Sequence, residues 1–402
     1  MKKRTFLKTA SLSLVGCAAI GENPLKASTP SIAPNTSSKP SAPKRDIIAD
    51  NKEAIDDIIA SKKHLDTTSK GWPQKSHSGL FTIAHLSDIH TDIKRLQNFQ
   101  QFVDHVESVD ASICTGDFIN NGSDEQFAAM KCVNFKKDFL PVVGNHDRDN
   151  PKADSKHVYQ ELRMNTNTGK LYYYQDYPAH HIRIIVLNQF DIERGAWINN
   201  RVEHYSQEQI DWFIRTLQDA QSKGLAVTIA MHTLNMDAMP EKNDEGFYQR
   251  HYGWEKLLTS VISGPIIEDI VHAFKTAGSI DKQYTYADVK DLKVTAKASF
   301  RGNGTFIAYM VGHKHADLIG YSKYHPDQLY LLMNTSCCVA HFGGSNYGES
   351  VSDLARKEDT KTEDCFNVYS FDIENKLVKV VRVGACMNDR MKERKRACFS
   401  IE

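Results

Sequence analysis

Apolar positions along this chain come in short runs broken by polar turns, and the spacing within each run predicts its element. Leu80 to Leu86 is an apolar stretch of strand length, followed by a polar turn. Ile93, Leu96, Phe99, Val103 and Val106 then recur at three- and four-residue steps, which gives a helix one buried face. Two more strands follow, Ala111 to Cys114 and Phe139 to Val143. Strand, helix and strand in so short a span form a βαβ unit, with parallel strands and a right-handed crossover.

The pattern continues with strands at Leu171–Tyr174 and Ile182–Leu187. Ser206 opens a helix with Gln209 three residues on, the spacing of a capping box, and Ile210, Phe213, Ile214 and Leu217 form its apolar face. Ala226–Met231 is a strand that delivers His232. Residues 233–304 are less regular, apart from a helix starting at Pro265 with Ile266, Ile267, Ile270, Val271 and Phe274 on one face. Phe306–Val311, Tyr330–Met333, Phe366–Phe371 and Leu377–Val383 complete the strands, with Glu374-Asn375-Lys376 as a hairpin turn.

The N-terminal segment has a different character. Lys2, Lys3 and Arg4 precede a mostly apolar stretch from Thr9 to Ile20, too short to span a bilayer, which predicts an export signal. Lys3-Arg4-Thr5-Phe6-Leu7-Lys8 resembles a twin-arginine signal with Lys in place of the first Arg. Leu14-Val15-Gly16-Cys17 resembles a lipobox, which would place lipid on Cys17 and attach the chain to a membrane. Residues 24–45, rich in Ser, Pro, Thr and Ala, cannot bury a core and read as a tether. A short helix follows, with Ile55, Ile58 and Ile59 on one face, before Gly71-Trp72-Pro73 breaks the chain. The division is therefore 1–20 as signal, 21–72 as tether and short helix, and 73–402 as the folded domain. Within that domain, 233–304 is a helical insertion and 366–402 a C-terminal hairpin and tail.

Composition narrows the functions. The chain is 41% hydrophobic and 25% charged, as in ordinary globular proteins. Its 50 basic and 50 acidic residues cancel, so no global field draws in a polyanion, and nucleic acid is disfavoured as a partner. None of the 8 cysteines forms a CxxC pair, which disfavours a thiolate zinc site; Cys114, in an apolar run, packs as a small hydrophobe.

The chemistry gathers just after predicted strands, where open α/β sheets place functional residues. Five places supply Asp88-Ile89-His90, Gly116-Asp117, Gly144-Asn145-His146-Asp147, His232 and Gly312-His313-Lys314-His315. Imidazoles, carboxylates and one carboxamide suit manganese, iron, zinc or nickel. There are enough of them for two ions, spaced about 3.5–4 Å apart around a shared carboxylate.

In this order the five motifs resemble the calcineurin-like metallophosphoesterase superfamily, from about Phe81 to His315, and suggest an exported bacterial member. The resemblance implies an α/β fold, a four-layer α/β/β/α sandwich of two mixed sheets with a di-metal site at the strand C-terminal ends. It implies that Asp88, His90 and His315 hold one divalent ion, that Asn145, His232 and His313 hold the other, and that Asp117 bridges them. Gly116, Gly144 and Gly312 permit tight turns beside the metals. His146 faces the substrate as a catalytic group, and Asp147 supports the loop. Two cations bring a bridging water from a pKa of about 15.7 to near neutrality, and the resulting hydroxide attacks a phosphomonoester or phosphodiester in line. No phosphoenzyme is expected.

One position departs from many relatives, which carry Asp where this chain has Asn120; its amide oxygen can accept a hydrogen bond but lends no charge, so His146 is expected to be less basic or partnered elsewhere. His85 reads as a core or surface histidine, Lys314 as solvated, and the run Arg390 to Arg396 as a solvated tail. Arg148 and Asp149 are secondary candidates for touching substrate. Two rival readings are a non-catalytic scaffold with a relict metal site and a nuclease. The alcohol of the ester, the metal and the oligomeric state stay open.

Overall fold

The computed structural model describes residues 45–63, 80–150, 152–192, 204–233, 265–285, 293–313, 318–322, 324–332, 359–385 and 396–401. The helices are α1 (Ile47–Asp50), α2 (Lys52–Lys63), α3 (Ile93–His105), α4 (Asp124–Met130), α5 (Ser155–Glu161), α6 (Gln207–Ser222) and α7 (Ile266–Lys275). The strands are β1 (Phe81–Leu86), β2 (Ala111–Cys114), β3 (Asp138–Pro141), β4 (Tyr173–Tyr177), β5 (Ile182–Val186), β6 (Ala226–Ala230), β7 (Ser279–Thr285), β8 (Lys293–Ser299), β9 (Phe306–Val311), β10 (Leu318–Tyr321), β11 (Leu329–Leu332), β12 (Cys365–Asp372), β13 (Leu377–Gly384) and β14 (Arg396–Ser400).

Two mixed six-stranded sheets face each other. Sheet I runs β14-β13-β12-β1-β2-β3 and sheet II runs β10-β11-β9-β6-β5-β4. In sheet I, β1, β2 and β3 are parallel and β3 forms an edge; in sheet II, β5, β6, β9 and β11 are parallel. Every residue of β1, β2, β5, β6 and β9 is buried, as expected of strands covered on both faces. Between the sheets, Phe81 meets Tyr177 with ring centroids 4.4 Å apart.

Helices close both outer faces. On sheet I, Phe99 and Phe102 of α3 pack edge-on against Phe366, each at 5.0 Å between centroids. On sheet II, Ile210, Phe213 and Leu217 of α6 join Ile266, Ile270 and Phe274 of α7 over Ile185, Val227, Ile229 and Tyr309. The result is the α/β/β/α sandwich.

Several elements differ from the sequence reading. The helix assigned beside the tether belongs to the body: Ile47 and Ile58 enter the main core, and Ser61 Oγ lies 2.9 Å from Ser370 Oγ on β12. Within 233–304, α7 forms as expected, but β7 and β8 make an antiparallel hairpin where a helical insertion was predicted. Tyr284, Val294 and Ala296 bury that hairpin against the helices, a tertiary contact that local spacing does not reveal. The C-terminal segment adds a strand, β14, to the edge of sheet I. Ser206 caps α6 by accepting the Gln209 N–H at 3.1 Å. The Gln209 side chain does not close a capping box; it binds the backbone N–H and C=O of Asn188, at 2.8 Å each.

Candidate metal centre

Five parallel strand ends deliver the candidate ligands to one place. β1 leads to Asp88 and His90, β2 to Asp117, and β3 to Asn145 and His146, all from sheet I. β6 leads to His232 and β9 to His313, from sheet II. Backbone bonds tie neighbouring strand ends within each sheet, Asp88 N–H to the Gly116 carbonyl at 2.8 Å in sheet I and Gly312 N–H to the His232 carbonyl at 2.7 Å in sheet II.

The backbone is strained at the same place. Asp88, His90, Thr91, Asp117 and His313 all have positive φ, between 48° and 72°, although none is glycine. Such conformations cost of order 1–3 kcal/mol each and collect at functional sites. Gly116 has a φ of 102°, a true glycine conformation. Gly144 is needed for a different reason, because a Cβ there would overlap the Asp117 carboxylate and backbone nitrogen.

Hydrogen bonds fix which atom each side chain offers. His232 Nδ1 donates to the Thr115 carbonyl at 2.6 Å, which leaves Nε2 turned inward. That Nε2 lies 3.0 Å from Asn145 Oδ1, 3.2 Å from His313 Nδ1 and 3.3 Å from Asp117 Oδ2. His90 Nδ1 sits 3.1 Å from Asn120 Oδ1, so its Nε2 faces Asp117 Oδ2 at 3.8 Å and Asp88 Oδ1 at 4.0 Å. The Asp88 carboxylate accepts the His313 backbone N–H at 2.9 Å, a bond between the two sheets, and the Ser87 hydroxyl at 2.6 Å. Asp117 Oδ1 accepts the His146 N–H at 2.8 Å.

Asp117 is the shared member of two clusters of ligand-type atoms, one with His90 and His146 and one with His232 and His313. Lone-pair atoms of three other side chains thus crowd around His232 Nε2. The electrostatics agree. Burial alone would lower the His232 pKa, but Asp117, Asp88 and the Thr115 carbonyl outweigh it and raise it. Burial alone would raise that of Asp117, but His232, His146 and His90 hold it well below the ordinary carboxylate range. The cluster attracts positive charge, and nitrogen and oxygen donors converge in it, so these residues fit divalent cations.

Asp147 is the keystone of the loops. It is fully buried, and its carboxylate accepts N–H groups from Asp117 (3.1 Å), Phe118 (2.9 Å), Ile119 (3.2 Å) and Gly144 (2.9 Å). Burial and the Asp117 charge raise its pKa, while the N–H donors act in the opposite direction.

The Asn120 side chain leaves His146 partnered elsewhere, one of the two outcomes the amide allowed. Its side chain serves His90 through Oδ1, and its Nδ2 donates to the His90 carbonyl (3.2 Å) and Thr91 Oγ1 (3.0 Å). The backbone carbonyl of Asn120, not the side chain, accepts from His146 Nδ1 at 2.6 Å. A main-chain oxygen can be supplied by any residue type, so no side-chain rule could have revealed this contact. His146 is 30% exposed at its side chain, far more open than His90 or His232, and its Nε2 is left for a ligand.

Other residues are supporting. Gln189, buried after β5, clamps the residue beside His232: it accepts the Thr233 N–H at 2.6 Å and donates to the Thr233 carbonyl at 2.8 Å. Sequence reasoning missed it, because a lone Gln after a strand carries no motif. His85 is a core histidine, with Nε2 2.8 Å from Thr115 Oγ1 and a pKa lowered to about 3, chiefly by burial. Arg148 is fully buried and bonds Ser155 Oγ at 2.6 Å, and Cys114 is buried. His315, Lys314, the stretch from Arg390 to Lys395, Cys17 and the signal and tether through Lys44 lie outside the described residues.

The family model of the calcineurin-like phosphoesterases matches residues 81–263. Among solved structures, the chain is similar to a dimetal phosphatase from Danio rerio, at 10% identity and a TM-score of 0.48, over 81% of this chain and 100% of that one. It is similar to PhoD at 12% identity and a TM-score of 0.43, over 78% and 69% of the two chains. A predicted phosphoesterase from Streptococcus pneumoniae aligns at 11% identity and a TM-score of 0.30, over 81% and 99%. No curated protein matches the sequence. Asp88, His90, Asp117, Asn145, His146 and His232 all fall within the segment that the calcineurin-like phosphoesterase model matches.

Proposed function

We propose that this chain hydrolyses a phosphate ester, mono- or diester, with two divalent cations held by Asp88, His90, Asp117, Asn145, His232, His313 and, beyond the described residues, His315. The observation that carries the reading is one carboxylate, Asp117, shared by two clusters of ligand-type atoms where both sheets end. Bound manganese, iron, zinc or nickel would supply Lewis acidity and an activated water.

The chain's own residues do the rest. Asp147 holds the loops that carry Asp117 and Gly144, so the ligands are in place before substrate arrives. Backbone carbonyls of Thr115 and Asn120 fix the Nδ1 protons of His232 and His146. His146 then presents Nε2 at the open side of the site, from which it can donate a proton to the departing alcohol oxygen.

Purified protein given manganese is expected to release p-nitrophenol from p-nitrophenyl phosphate or from its bis-ester. Silence on both esters with all four metals overturns the reading.

We also propose that the enzyme acts outside the cytoplasm, anchored by lipid on Cys17; the support is the charged-then-apolar N-terminal pattern. Mass spectrometry of the mature N-terminus is expected to find acylated Cys17, and an unmodified chain in the soluble fraction contradicts it.

A further inference from the structure

A second group of nitrogen and oxygen donors lies outside the candidate centre. It joins the last turn of α7 to the turn between β10 and β11. One donor atom each from His272, His325 and Asp327 lies within 4.8 Å of the others. The His272 and His325 rings stack, with centroids 4.6 Å apart and planes 21° apart.

The group is braced as a metal site requires. His325 Nε2 is held 2.9 Å from Asp269 Oδ1, so Nδ1 is the nitrogen left to bind a cation. A carboxylate behind a histidine fixes the ring and raises the basicity of its other nitrogen. Asp269 is itself fixed, its Oδ2 accepting from Lys282 Nζ and from the Tyr284 hydroxyl, both at 2.6 Å. Asp327 is also fixed, with Lys275 Nζ 2.6 Å from its Oδ2. The turn is rigid as well, since Ser322 Oγ accepts the N–H groups of Tyr324 and His325, and the Gln328 N–H returns to the His325 carbonyl at 2.9 Å.

We propose that His272, His325 and Asp327 bind one zinc ion as a clasp between α7 and the β10–β11 turn, with water as the fourth ligand. Two imidazoles and a carboxylate suit zinc. Bonds of about 2.0 Å require donors about 3.3 Å apart, and rotation of the exposed His272 side chain closes that gap. The clasp braces β11, which is hydrogen-bonded alongside β9, the strand that delivers His313. It shares no ligand with the candidate centre and does not rest on the phosphoesterase reading.

The test counts zinc. Full-length protein is stripped with a chelator, mixed with zinc chloride at matched micromolar concentration and desalted, and bound zinc per chain is measured alongside thermal unfolding. His272→Ala and Asp327→Asn are each expected to bind one zinc fewer than the unaltered chain. Both should also lose about 3 °C of zinc-induced rise in Tm. Asp117→Asn, which disrupts only the candidate centre, is expected to retain this equivalent. Equal zinc counts in the unaltered chain and the folded His272→Ala protein overturn the clasp, whether or not any ester is hydrolysed.

Discussion

The two sheets build their halves of the centre by different means. Sheet I supplies Asp88 two residues past β1 but His90, Asp117, Asn145 and His146 from further along its loops, and a buried carboxylate, Asp147, ties two of those loops through four backbone N–H groups. Sheet II supplies His232 and His313 almost directly from strand ends. Among the described residues, its support comes from the Thr115 carbonyl and the Asp88 carboxylate of sheet I, the Gly312–His232 backbone bond and the Gln189 clamp on Thr233. A loop must be held by many contacts, whereas a residue one or two positions past a strand inherits the strand's order. The sheet I half should therefore be fragile to single side-chain deletions, and the sheet II half tolerant of them.

The largest effect is expected at the open edge of the sheet I half. His146→Ala should lower kcat by about 10²–10⁴ while bound metal per chain stays the same; lost metal would make His146 a ligand and redraw the boundary between the halves. Next, Asp147→Ala leaves four buried N–H groups without their acceptor and should cost about 3 kcal/mol in denaturant unfolding. A loss below about 1 kcal/mol would mean the loops hold themselves.

His85 sits beneath Thr115, where the halves meet. Its folded pKa, lowered to about 3, lies below the ordinary value of 6.5. The native chain therefore stays neutral there as pH falls, while the unfolded chain takes up a proton. Stability from this residue is intact above pH 6.5 and is lost progressively down to about pH 3. Between pH 6.5 and 5 the loss is about 2 kcal/mol, and His85→Gln should flatten the measured pH dependence by that amount.

Asn120→Ala separates the two roles of that residue. Metal affinity should fall about tenfold through the loss of the His90 contact, with kcat at saturating metal little changed, because the carbonyl that holds His146 remains. A selective loss of kcat would show the side chain acting on His146 instead. The smallest effect belongs to sheet II: Gln189→Ala should weaken metal binding by a few-fold, about 1 kcal/mol. An effect as large as that of Asp147→Ala would erase the contrast.

Much of this was legible in the chain. Strand ends carry residues whose placement follows from the adjacent apolar run, so Asp88, Asp117, Asn145, His232 and His313 could be nominated from β1, β2, β3, β6 and β9 alone. The two-sheet sandwich followed from the resemblance those motifs carry. Where packing outweighed local pattern, the reading differed. The hairpin β7–β8 takes its order from α6 and α7, and α1 packs on α3 while α2 docks on β12 and β13, although their own sequence only suggested a helix beside a tether.

Residue types and their spacing determined which donors exist and which strands present them, because apolar periodicity and chemical identity are properties of the linear chain. Tertiary structure decided what each donor faces. It alone made Asp117 common to two clusters, turned the Asn120 side chain to His90 while lending its carbonyl to His146, and set His272 beside His325 and Asp327. Those relations depend on distances between segments far apart in sequence, and only the packing of two sheets against one another sets such distances.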